Sequence, residues 1–124
     1  MRAPEALRGT RVVASPQVLD ALAWPEAVAA LRFAADDLFA LGATNPQVAD
    51  AIAEEEAGLV GWWLSLEELH VHVLEHVDWP LPATRPALAQ GLVAGVPAKL
   101  WLTRDRALLL CAAAYARELE ERLP

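Results

Sequence analysis

Apolar positions along the chain change their period several times, and each change predicts an element. Thr10–Ser15 (TRVVAS) is a short β-branched run between Gly9 and Pro16, which predicts a first or edge strand. Ser15 and Pro16 then have the residue types of a helix N-cap and first helical position. Two further runs, GLVGWWLS from Gly58 and AKLWLT from Ala98, predict strands at about 58–64 and 98–103.

Between these runs helix formers dominate. PEAVAALRFAADDLFALG, ending at Gly42, predicts a helix in which Arg32 and Asp36 lie one turn apart. TNPQVADAIAEEE predicts a second helix, with Pro46 in its first turn and Gly58 as its stop. Glu54, Glu55 and Glu56 then fall in the last turn, where the helix dipole disfavours negative charge. Ser65 followed by Glu68 has the pattern of a capping box, opening a helix that runs to about Val77. Residues 79–86 (WPLPATRP) read as a proline-rich connector, Ala87–Val93 as a short helix and RDRALLLCAAAYARELEERL as a C-terminal helix.

Two segments also admit a hairpin. LRFA and LFALG would turn at Ala35–Asp37, and KLWLT and RALLLC at Arg104–Asp105. The first turn lacks glycine, so the helix is preferred there; the second boundary stays open. Segments 31–43 and 100–112 align without gaps, with Leu31/Leu100, Asp36/Asp105, Leu41/Leu110 and Ala43/Ala112 identical. A true repeat would give both the same β-β-α structure. The expected fold is one compact α+β domain over residues 1–124: a small sheet of three or more short strands packed against four to six helices.

Charge adds an asymmetry. The net charge is −7, and no lysine or arginine occurs between Arg32 and Arg85, a stretch that holds ten acids. Nucleic acid is therefore excluded as the expected partner, because a phosphate backbone calls for a basic stripe. A basic protein, a cation or the chain's own basic ends fit better. The longest apolar run, Ala107–Ala116, is half of the roughly 20 residues a membrane span needs, so no membrane partner is expected. With Cys111 as the only cysteine and no apolar leader at the N-terminus, a cytoplasmic location is expected. Alanine makes up about a fifth of the chain, a skew that carries no function.

The candidate chemistry centres on HVHVLEH, His70–His76. On a regular helix Leu66, Leu69, Val73 and Val77 make the buried face with His70 among them, while Glu68, His72, Glu75 and His76 share the polar arc. His72 and His76 have the one-turn spacing that lets two imidazoles meet one metal. His72–His76 (H-V-L-E-H) resembles the H-x-x-E-H signature of the inverzincins. That resemblance implies His72 and His76 as zinc ligands and Glu75 as general base for a zinc-bound water. It covers five residues. The family's downstream ligand glutamate and much larger domain have no counterpart in the 48 residues after His76, so only a bare site is carried forward.

Two further features point to surfaces. Glu54, Glu55 and Glu56 are candidates for meeting a basic partner. Trp62 and Trp63 are adjacent on a predicted strand, so one enters the core and the other needs a cover. No P-loop, dinucleotide fingerprint, nucleophile elbow or C-x-x-C occurs, and Cys111, inside an apolar run, reads as inert core. The expected function is a small non-catalytic interaction or regulatory protein without cofactor. It would act through self-association as a homodimer, or through a protein-partner surface with tryptophans and the acidic middle. The alternative is a zinc-binding or zinc-dependent hydrolytic protein using His72, Glu75 and His76; a second alternative is a small-ligand-binding domain.

Overall fold

A computed structural model describes residues 1–124. In chain order the elements are β1 (Glu5–Ala6), β2 (Gly9–Ala14), α1 (Pro16–Ala21), β3 (Ala29–Ala34), β4 (Asp37–Leu41), β5 (Ala51–Glu56), β6 (Leu59–Ser65), α2 (Leu66–Glu68), β7 (Ala87–Val93), β8 (Val96–Leu102), β9 (Arg106–Ala112) and α3 (Ala116–Arg122). The strands form two antiparallel sheets, one of five in the order β1-β6-β9-β8-β7 and one of four in the order β3-β4-β2-β5. This overturns the expected fold class: the helices are three and short, and the sheets carry the structure. No helix is long and apolar enough to cross a membrane.

The chain divides into two compact units, Leu7–Ala57 and Met1–Ala6 with Gly58–Pro124. In the first, β2 lies between β4 and β5, so it is an interior strand and not the expected edge. The Ser15 hydroxyl accepts from the Val18 amide and Pro16 opens α1, as the sequence implied. α1 places Leu19 among Val12, Leu38 and Ala40, with Trp24 and Val28 packed against them. The segment expected as a helix over 25–42 is instead the β3–β4 hairpin. Its turn needs no glycine because none of Ala34–Asp37 takes a positive φ, and Arg32 braces it. The Arg32 guanidinium donates to the carbonyls of Ala34 and Ala35 at 2.6–3.1 Å, and a bulge between Arg32 and Ala34 adjusts the register. Arg32 pairs with Asp20, not with Asp36.

β5 replaces the second expected helix. As a strand, the Glu54–Glu56 run no longer meets a helix dipole, and the conflict read from the sequence disappears.

In the second unit, β6 and β9 pair in register from Leu59↔Ala112 to Ser65↔Arg106. The core holds Trp62, Leu64, Leu69, Val73, Leu100, Leu109, Cys111 and Leu119. Ala87–Val93, expected as a helix, is strand β7, and the C-terminal helix shrinks to α3 because Arg106–Ala112 pairs as β9. Residues 79–86 contain no helix or strand. Both units share one plan: a strand, a serine-capped helical segment, and a later hairpin whose last strand returns beside the first. Segments 31–43 and 100–112 are accordingly both hairpins, but α3 follows only the second, and their matched residues do not share a register. Leu31 pairs with Phe39, whereas Leu100 pairs with Leu109 rather than with its counterpart Leu108.

Candidate functional site

The HVHVLEH segment is not a regular helix. Ser65 and Glu68 form the expected capping box: the Glu68 amide donates to the Ser65 hydroxyl and the Ser65 amide to the Glu68 carboxylate. These bonds, with Arg2 beside it, hold the Glu68 carboxyl below its ordinary value. After α2 the winding widens to a π-turn over Leu69–Val73 and tightens to a 3₁₀ turn over Leu74–His76. A π-turn fits more residues into each revolution, so the sequence-based wheel loses its phase. Leu69 and Val73 remain buried, but His70, expected inward, is exposed.

His72 and His76 are half-buried and Glu75 is exposed; the buried His72 Nδ1 has no hydrogen-bond partner. No group of three or more His, Cys, Asp or Glu side chains is placed to hold a metal. Glu75 and His76 instead line a cleft of about 480 Å³ with Asp78 and Trp79, whose indole N–H donates to the Leu92 carbonyl at 2.9 Å.

Trp62 and Trp63 face opposite sides of β6. Trp62 is a core residue at 1% exposure, its indole donating to the Arg2 carbonyl at 2.7 Å. It therefore offers no docking surface. Trp63 is half-buried on the other face, with the Arg106 guanidinium 3.8 Å from its ring centroid. A row crosses four strands there, Trp63 opposite Leu108, Leu108 opposite Trp101 and Trp101 opposite Leu88. Cys111 is buried in the core and its thiol is pushed up to about 11 by burial, which leaves it a poor nucleophile.

The three glutamates lie at the edge of the four-stranded sheet, on β5. Ile52 is 64% exposed and stands opposite Val13, which is 43% exposed. Glu54 and Glu55 are exposed, while Glu56 is held by the Arg11 guanidinium at 2.6 Å. Arg11 also forks onto Asp37 of β4, Nε and Nη2 at 2.6 and 2.7 Å, and sits 4.8 Å from the Phe33 ring centroid. Its pKa is raised, first by the Asp37 bond and further by Glu56. Sequence reasoning did not single out Arg11. The available signal was a lone base inside a β-branched run, a residue that needs a carboxylate partner once it sits in a sheet interior.

Comparison with known proteins finds no matching family model, no matching curated protein and no matching solved structure. The functional reading therefore rests on the residues themselves.

Proposed function

We propose that the protein is a non-catalytic interaction module whose docking edge is β5, and that its partner is a basic, extended segment of another polypeptide. The observation that carries this reading is the composition of that edge. β5 is the last strand of its sheet, it exposes Ile52 at 64%, and it bears consecutive carboxylates. An edge strand presents backbone donors and acceptors that an incoming strand can pair, and side-chain pockets and charges beside it supply selectivity. The chain's net charge of −7 likewise favours a basic partner in the encounter. Self-pairing through β5 is disfavoured, because it would bring the carboxylates of two copies onto adjacent strands. The single buried cysteine fits a reducing compartment such as the cytoplasm.

The test is fluorescence anisotropy with a labelled peptide of alternating lysine and valine and with its glutamate counterpart. The basic peptide is expected to bind at about 50 mM salt and to weaken steeply toward about 500 mM. Glu54→Lys with Glu55→Lys abolishes that binding while the thermal melt is kept. Equal binding of both peptides, or of neither, contradicts the proposal.

A further inference from the structure

Beside β5, on the sheet face opposite to Ile52 and Glu54, lies a polar groove of about 400 Å³. Arg8 just before β2, Thr10 of β2, Glu55 of β5, and Thr44, Asn45 and Gln47 of the loop after β4 line it. We infer that this groove binds a small zwitterion of the α-amino acid class. The groove shares Glu55 with the docking edge but not Ile52 or Glu54, which face away from it, so Arg8→Gln, expected to weaken the small ligand and keep the peptide, separates the two readings.

The groove is built, not incidental. Thr10 is the buried polar side chain of this unit, 4% exposed, and its hydroxyl donates to the Ala43 carbonyl at 3.0 Å. The Gly42 amide donates to the Arg8 carbonyl at 2.9 Å. Gly42 at φ 93° and Asn45 at φ 46° both take the left-handed conformation, which folds the loop back over the end of β2. These bonds fix the loop before any ligand arrives, so less ordering is required on binding.

The charges set the ligand class. Thr10 stands opposite Glu55 in the β2–β5 register, and Arg8, just before β2, lines the same groove as Glu55. Neither Arg8 nor Glu55 forms an ion pair within the chain. One guanidinium and one carboxylate therefore line the same groove without pairing with each other, and a small doubly charged molecule would satisfy both. The guanidinium fork receives the ligand carboxylate in two parallel bonds. The ligand ammonium donates to Glu55 and to the side-chain carbonyls of Asn45 and Gln47. Ala43, Pro46 and Ala53 leave a small apolar wall for the ligand's substituent.

The experiment screens the twenty L-amino acids by thermal shift and follows the best by isothermal titration. Its deaminated and decarboxylated halves, a simple carboxylate and a simple alkylammonium, serve as controls. Arg8→Gln and Glu55→Gln are the test variants; both side chains are exposed, so the fold is expected to survive, and the melt of each checks it. Saturable binding of an amino acid is expected, with each half and each variant weaker by about tenfold or more. No saturation up to roughly 10 mM overturns the inference. So does binding that is unchanged in either variant, or a half that binds as well as the whole.

Discussion

Arg11 and Asp37 face each other diagonally across β2 and β4 in a two-bond fork, with Glu56 of β5 closing the other side of the guanidinium. One cation thereby ties three strands of the four-stranded sheet. The side chains keep a fifth to a third of their exposure, so solvent screens part of the Coulomb term. Arg11→Ala is expected to cost about 1–2 kcal/mol in urea unfolding, and Arg11→Lys nearly as much, because an ammonium cannot reproduce the fork. A raised pKa on a cation means its contribution is complete below the ordinary arginine range and is lost only far above neutrality. The Arg11→Ala deficit should therefore stay constant from pH 6 to pH 9; a deficit that varies across about that range contradicts the assignment.

The two adjacent tryptophans differ in what they hold. Trp62→Ala empties a core position and should cost about 3–5 kcal/mol. Trp63→Ala removes a half-buried ring and its contact with Arg106, and should cost about 1–2 kcal/mol. Chemical denaturation of both variants measures the difference, and equal losses would contradict the placement of Trp62 in the core.

Ser65→Ala removes one arm of the capping box and should destabilise by about 1 kcal/mol. Glu68 adds a pH signature. Its folded pKa is lowered, chiefly by the Ser65 amide, so its contribution is present above the ordinary value of 4.5 and is lost as pH falls through the lowered one. Wild-type and Glu68→Gln melting temperatures are expected to differ at neutral pH and to converge in acid. A constant gap would remove Glu68 from the account.

Cys111 is expected to resist a thiol reagent at pH 8 in the folded protein, because burial raises its thiol to about 11. Denaturant should make it react at the rate of a free thiol. Rapid native-state labelling would contradict the buried placement.

Much of the local chemistry was legible in the sequence. Ser15 with Pro16, the Ser65–Glu68 box, the cores of β2, β6 and β8, and the opposite facing of Trp62 and Trp63 all follow from residue type and spacing. The helix-to-strand errors share one cause. β3, β5, β7 and β9 are built from alanine, leucine and glutamate, whose intrinsic preference is helical, and strand pairing overrides that preference. Ala107–Cys111 is buried without a break, so no alternation marks β9 as a strand. The Glu54–Glu56 run is itself informative. Three carboxylates at a helix C-terminus signalled that the segment was not a helix. Arg8 and Glu55 lie 47 residues apart in the chain and meet one groove only through the β2–β5 pairing, which no local pattern displays.

The central claim is that β5 is the docking edge. Its most direct test is a titration of the ¹⁵N-labelled protein with the basic alternating peptide, reading amide shifts and hydrogen-exchange protection residue by residue. The account predicts new protection confined to Ala51–Glu56, with shifts extending to Val13 across the pair, and loss of both with Glu54→Lys and Glu55→Lys. Perturbation centred anywhere else, or an unprotected β5 in the bound state, would contradict it.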